Sequence, residues 1–403
     1  MARIALALLA IAVCLLLMRD AARIGFSRLL TRYALITNSL PAADQAVQIT
    51  PSDPEAHLAR ALILNRLRRP AEAEASLEVA TSLRDGPEDL WIELGNTREE
   101  LGDREGALAA FDRAVSSAPY YAHTRWQRGN LLLRMGRYDE AFADLREAAA
   151  ANRKYFPNLL ELAWGLTGDA RATEALLQLQ NDNDRLAFAR FLAGKGRATD
   201  VVDQVRLLSN PLSDENKDEL VRLLSASKKF DEAFELWRGR KPEEGIVNGS
   251  FEEPLVLDKV VFHWGLLQSQ PKVKLAVDVH ERASGARSLQ VAFDGEWDPG
   301  ATLLWQTILI EPDRRYRLKF FVKTKDLVTG GPPRIVLTDA MNDRIIAKSE
   351  PFPSGSGEWS EMKVDFTAPS QAIVINLARD NCSSSPCPIF GVVWLDDFSL
   401  QKL

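Results

Sequence analysis

The stretch "NGSFEEP", Asn248 to Pro254, divides this chain into two kinds of sequence. Upstream of it, back to about residue 50, apolar residues recur at helical spacing. Downstream they alternate one by one. The change is prepared by "RGRKPEEGIV" (238–247), where charge, Pro242 and Gly245 break the helical pattern as a linker does. Beyond it, Leu289, Val291 and Phe293 share one face of "SLQVAF". Tyr316, Leu318, Phe320 and Val322 share one in "RYRLKFFVKT", and Ile373, Ile375 and Leu377 in "QAIVINLA". Short alternating runs separated by Gly, Pro, Ser and Asp predict an antiparallel β-sandwich. With 403 residues the chain is too long for a single core, so separate domains are expected.

The order of signatures across this half is more specific than any one strand. "NGSFEEP" is followed by "FHWGL", "ASGARSLQV", "LLWQTILIEPDRRYRLKFFVKT", "GEWSEMKVDFTAP" and "VVWLDDFSL". This succession resembles carbohydrate-binding modules of the jelly-roll, galactose-binding-like type, over about residues 246–403. The resemblance implies two chemical features. Such modules often hold a structural calcium between first and last strands, and Glu252, Glu253, Asp396 and Asp397 match the acidic positions, since calcium needs several oxygen ligands. The alternative is that these acids are surface residues or backbone acceptors. Sugar recognition needs flat aromatic faces beside polar groups. Of Trp264, Trp297, Trp305, Trp359 and Trp394, most are expected in the core. Trp297, in the loop "DGEWDPG", and Trp305 with its neighbour Gln306 are the candidates for a glycan-binding face.

The helical half repeats itself. Gly95 and Gly129, Gly102 and Gly136, Ala107 and Ala141, Phe111 and Leu145, Ala114 and Ala148 are each 34 residues apart. One step earlier the same offset reaches Ala61, Arg68, Ala73, Leu77 and Ala80, where small residues recur but the glycines are lost. This resembles the tetratricopeptide repeat family, with Trp91, Leu94, Gly95, Ala107, Phe111, Ala114 and Pro119 on its signature positions and Arg98 where an aromatic is usual. Small residues let the helices of a hairpin approach, and large ones fill the groove between hairpins. Degenerate units continue to about residue 240, where "KKFDEAFELW" echoes "GRYDEAFADL". Stacked hairpins present a groove for a protein partner, and Tyr120, Tyr121 and Trp126, at a junction between units, are its candidate lining; packing between hairpins is the alternative for each. His57 and His123 lack metal-ligand spacing.

At the N-terminus, Ile4 to Met18 is uninterrupted apolar sequence behind Arg3. The run resembles the start of a secretory signal, without a convincing cleavage site, so residues 1–22 are expected to be an uncleaved signal anchor. Arg19, Arg23, Arg28 and Arg32 argue for a cytoplasmic body. The cysteine pair and the C-terminal domain argue for the outside, and the reading follows them: a single pass in the inner membrane, bulk periplasmic. Cys382 and Cys387 in "NCSSSPCP" are expected to form a disulfide in an oxidising compartment, against zinc binding or two free thiols.

The net charge of -6 gives no reason to expect nucleic acid. No zinc-protease motif, phosphate-cradling Gly-Lys loop or nucleophile elbow occurs, and the 4 histidines are well separated, so no enzyme is expected. The predicted fold is multidomain α + β. It comprises an N-terminal membrane-anchor helix, a tetratricopeptide-type α-solenoid (23–240, best units about 54–153) and a C-terminal antiparallel β-sandwich of jelly-roll type (246–403). The expected function is that of a non-enzymatic, membrane-anchored envelope adaptor. Its solenoid binds a protein and its sandwich a glycan, in a setting such as cell-surface polysaccharide assembly or export. No cofactor beyond a structural calcium is expected. The rival reading is a scaffold whose sandwich has no sugar ligand.

Overall fold

The 34-residue offset is realised as helical hairpins whose two arms meet at a small residue. A Cβ added at Gly95 would lie 2.9 Å from the Phe111 ring, and one at Gly129 would lie 2.8 Å from Leu145 Cγ. Glycine at these positions is therefore a condition for close approach of the paired helices. Gly129→Ala is expected to cost about 1–3 kcal/mol in denaturant unfolding, partly relieved in the Gly129→Ala, Leu145→Ala double variant. A change within about 0.5 kcal/mol would show that the hairpin yields freely.

The computed structural model describes residues 2–239, 244–255, 261–266, 272–299, 301–382 and 387–403, with side chains from residue 11 onward. It divides into two units, Met1–Gln178 and Leu179–Leu403. The first holds α1 (Ala2–Thr37), α2 (Leu40–Ile49), α3 (Pro54–Arg66), α4 (Pro70–Leu83), α5 (Glu88–Glu100), α6 (Arg104–Ser117), α7 (Ala122–Arg134), α8 (Tyr138–Ala151), a 3-10 turn at Arg153–Tyr155, α9 (Phe156–Thr167) and α10 (Ala170–Leu177). Local chemistry sets the boundaries. The Asp103 carboxylate accepts from Gly106 N at the start of α6, and Asp53 from Glu55 N at the start of α3. Gly102 and Gly136 take φ of +85° and +76° just past the ends of α5 and α7. At the equivalent position one unit earlier, Arg68 adopts φ 61°. The left-handed turn survives there without its glycine.

Helix α1 corrects an expectation. Among the described residues no helix is long and apolar enough to cross a membrane, which overturns the single-pass anchor at 1–22. The side chains of residues 1–10, the first part of the apolar run, lie outside the described residues. From Ile11 the apolar run ends at Met18, about 12 Å of helix, before Arg19, Asp20 and Arg23. The same helix continues into the solenoid. Ser27 Oγ donates to Ala46 O at 2.9 Å, and Arg28 Nε donates to Asp53 at 2.7 Å. The expected inner-membrane location, with the bulk of the chain on its far side, falls with the anchor.

The second unit begins with two more hairpins, α11 (Asp182–Gly194) with α12 (Ala198–Arg206) and α13 (Asp214–Ala226) with α14 (Phe230–Arg238). The strands follow: β1 (Gly265–Leu266), β2 (Val273–Asp278), β3 (Ser288–Glu296), β4 (Leu304–Leu309), β5 (Arg315–Thr329), β6 (Pro333–Asp339), β7 (Ile345–Lys348), β8 (Gly355–Thr367), β9 (Ala372–Arg379) and β10 (Pro388–Lys402). They form two antiparallel sheets, ordered β1-β4-β9-β6-β7 and β2-β3-β10-β5-β8. The inward residues of both, among them Leu289, Val291, Leu318, Phe320, Ile375 and Leu377, make one core. The last hairpin docks on this sandwich. Phe234 and Trp237 of α14 pack on Phe262 at 5.2 and 5.4 Å, and Lys228 Nζ donates to Ala340 O at 2.6 Å.

Candidate functional site

The motif that divides the sequence is a clasp. Asn248, at φ 51°, donates from Nδ2 to Glu253 O and accepts at Oδ1 from Glu253 N, both at 2.9 Å. The turn drives Phe251 into the core against Trp264 and Phe398, with ring centroids 5.4 and 6.0 Å away. Phe398 N donates to Gly249 O at 2.9 Å, and a Cβ at Gly249 would collide with Phe398 O. The start of the domain is thereby tied to its last strand.

The acidic residues serve the same clasp. Glu252 Oε1 accepts from Ala286 N at 2.7 Å and Arg287 N at 3.2 Å. Asp396, 0% exposed, accepts at Oδ2 from Ala283 N (2.8 Å) and Ser284 N (3.1 Å), and at Oδ1 from Asp397 N (2.7 Å). Burial pushes the Asp396 carboxyl above the usual range despite these bonds. Both acids thus hold the 283–287 loop against the clasp. Glu253 is exposed, and Asp397 is half-buried at φ 54°. Among the described residues no three His, Cys, Asp or Glu side chains stand close enough to hold a metal ion. The four acids marked for calcium do not converge as a ligand set.

Two of the three glycan candidates are corrected. Trp297 is 1% exposed: its indole stacks on Phe293 at 5.5 Å, and Nε1 donates to Ala301 O at 2.9 Å. It is a core residue. Gln306 is 0% exposed and points inward from β4 because it alternates with Trp305. Its amide bridges Val247, Nε2 donating to the carbonyl at 2.8 Å and Oε1 accepting from the N–H at 3.1 Å. Trp305 alone keeps the expected kind of position. It is half-buried on the outer face of its sheet, over Gly265, where a Cβ would strike the indole. Strand register carries its row through Asn376 and Val336 to the exposed Lys348. Asn376 is the cross-strand neighbour of Trp305, and its Nδ2 donates to Thr338 Oγ1 at 3.1 Å on the next strand.

At one end of this sheet the structure joins Cys382 and Cys387, 5.6 Å apart at Cα. Between them and the core lies a residue that the sequence reading missed. Arg379, 5% exposed, donates to Gly331 O, Trp297 O, Cys387 O, Thr329 Oγ1 and Cys387 Sγ at 2.8–3.1 Å. Burial lowers its basicity.

In the first unit two of the candidate groove residues, Tyr121 and Trp126, are joined through His123 and Tyr155. Tyr120 is 91% exposed and Tyr121 is exposed. Trp126 stacks on Tyr155 at 4.7 Å and 21°. His123 Nδ1 lies 3.3 Å from the Tyr155 hydroxyl and 6.1 Å, ring to ring, from Tyr121. Tyr155 stands 34 residues after Tyr121, an aromatic pair at the repeat offset and a signal that the sequence reading missed. His57 Nε2 bonds Pro51 O at 2.9 Å, a structural contact.

Comparison with known proteins adds to this geometry. Residues 243–378 match the family model described as a carbohydrate binding domain, and residues 36–89 and 92–156 match that of the tetratricopeptide repeat. Among solved structures the chain is similar to "Crystal structure of YrrB: a TPR protein with an unusual peptide-binding site", at 18% identity and TM-score 0.29, over 54% of this chain and 90% of that one. It is similar to pilF of Pseudomonas aeruginosa at 17% identity and TM-score 0.32, over 54% and 90%. It is also similar to "CBM4 structure and function", at 15% identity and TM-score 0.29, over 39% and 99%. No curated protein matches.

Proposed function

We propose that this chain, which carries tetratricopeptide repeats in its N-terminal part and a carbohydrate-binding domain in its C-terminal part, is a non-catalytic adaptor that holds a protein with its repeats and a glycan with its sandwich. The observation that carries the glycan half is the half-buried Trp305 on the outer face of its sheet. A sugar ring has an apolar face that stacks on an indole and hydroxyl edges that need donors and acceptors. Trp305 supplies the first, and the Asn376–Thr338 pair on the next two strands supplies the second. The glycan therefore lies across β4, β9 and β6 and does not involve Trp297 or Gln306.

The test is a polysaccharide panel probed with the full chain, followed by Trp305→Ala. Loss of the indole is expected to weaken the best ligand roughly tenfold or more, with the thermal midpoint unchanged. Binding that survives Trp305→Ala in the folded variant would remove the sheet face as the site.

A second reading has its own observation. Trp297 and Gln306 have purely internal partners, as expected of a sandwich that serves only as a scaffold. A folded chain that binds nothing on the panel would favour that reading.

A further inference from the structure

We propose that the Cys382–Cys387 disulfide is a thiol–disulfide exchange site, opened by thiol reductants, in which Arg379 holds Cys387 as the leaving thiolate.

The first observation is the aim of Arg379. It follows Leu377 on the inward face of β9, so the strand carries a guanidinium to the end of the sheet where the disulfide closes. Its Nη2 donates to Cys387 Sγ at 2.8 Å and lies 3.6 Å from Cys382 Sγ. Among the described residues no carboxylate neutralises it, and the adjacent Asp380 is bonded to Arg334. While the disulfide is closed, this buried cation faces only carbonyls, a hydroxyl and neutral sulfur. Opening the disulfide puts a negative charge on an atom that the guanidinium already touches. A neighbouring cation lowers the pKa of a thiol, and a stabilised reduced form makes a disulfide easier to reduce.

The second observation is the build of the bridge. The two cysteines are 5 residues apart, and so short a loop restrains the unfolded chain little. Both are half-buried, open in part to a reductant. The Cys382 sulfur rests over Gly330 and Gly331, where added Cβ atoms would lie 3.3 and 3.2 Å from it. Cys387 is held apart from the bridge, because Arg379 Nη1 also donates to Cys387 O at 2.8 Å. Its sulfur therefore stays beside the guanidinium after the bond opens.

In the reaction a reductant thiolate attacks Cys382 Sγ. The protein S–S bond breaks, and its electron pair leaves on Cys387 Sγ. A second reductant thiol attacks the mixed disulfide at the reductant's sulfur, forming the reductant disulfide and releasing Cys382. Two electrons pass to the protein. Of the two thiol protons, one ends on Cys382 and the other in solvent.

The experiment equilibrates the full chain, in a Cys14→Ser background, with glutathione redox buffers from pH 6.5 to 7.5, and counts reduced protein by alkylation and mass. The bridge is expected to be reduced in these buffers, with an equilibrium constant that rises about tenfold per pH unit because one proton is released. Two ordinary thiols would leave it flat. Iodoacetamide at pH 6.5 is expected to label Cys387 of the reduced chain at least about fivefold faster than Cys382. Folded Arg379→Met is expected to be reduced at least about tenfold less readily at pH 7, a shift of about 30 mV. Resistance to glutathione, a flat pH profile, labelling of Cys382 as fast as Cys387, or unchanged reduction of folded Arg379→Met each overturns the proposal. Should that variant fail to fold, the pH profile and the labelling of the parent decide.

Discussion

Replacing Arg379 with methionine is expected to destabilise the second unit by about 3–5 kcal/mol. The guanidinium reaches four separate backbone or side-chain positions at once: Gly331 O, Trp297 O, Thr329 Oγ1 and Cys387 O. Among the described residues no carboxylate pairs with it, and its neighbour Asp380 is bonded to Arg334 instead. Its charge is therefore balanced by carbonyl dipoles, a hydroxyl and sulfur. Methionine keeps the stem and the packing but leaves these acceptors buried without donors. Lysine, with a compact ammonium in place of a planar fork, is expected to recover only part of the loss. Equilibrium unfolding in urea, followed by tryptophan fluorescence, measures the difference directly because Trp297 lies 5.7 Å from the guanidinium. A loss below about 1 kcal/mol would show that water or loop movement replaces the missing donors.

Arg379 also shows what the sequence did and did not reveal. In "QAIVINLAR" the inward-facing residues Ile373, Ile375 and Leu377 are legible from alternation, and Arg379 is the next residue on that face. A cation in an inward register was a visible signal of a buried network, though its partners come from loops that alternation does not describe. The repeats were legible for the opposite reason. Their rule is local: Gly95 against Phe111 and Gly129 against Leu145 are contacts within one hairpin, at fixed spacing. The sugar candidates part by the direction of their side chains. Trp297 sits in a sequence that reads as a loop, yet Phe293 and the Ala301 carbonyl turn it inward. Trp305 and Gln306 are adjacent, so a strand sends them to opposite faces and only one can serve a ligand on either. The anchor reading rests on an apolar run without a convincing cleavage site, set against the arginines that follow it. Its described part ends at charged residues on a helix that continues into the solenoid, with Arg28 held by Asp53.

Asp396→Asn is expected to cost about 2–4 kcal/mol, although the two side chains have nearly the same shape. Asp396 accepts three N–H groups on two oxygens, from Ala283, Ser284 and Asp397. An asparagine has one oxygen. If that oxygen serves Ala283 and Ser284, its amide nitrogen faces the Asp397 N–H, donor against donor. The reversed orientation strands two donors in a position that is 0% exposed. The cost stays below three full charge-assisted bonds because the carboxylate is itself desolvated, which is why its carboxyl lies above the ordinary range. The consequence reaches beyond the loop. Residues 283–287 are held from one side by Asp396 of the last strand and from the other by Glu252 of the opening clasp. Phe251 of that clasp packs on Phe398 of the same last strand. Loosening the loop therefore loosens the tie between the two ends of the domain. Hydrogen exchange in Asp396→Asn is expected to rise at Ala283, Ser284, Ala286, Arg287 and Phe398 together, while the amides of the central strands β9 and β10 beyond the clasp stay protected. A rise confined to Ala283 and Ser284 would show that the clasp closes the sandwich without help from the acids.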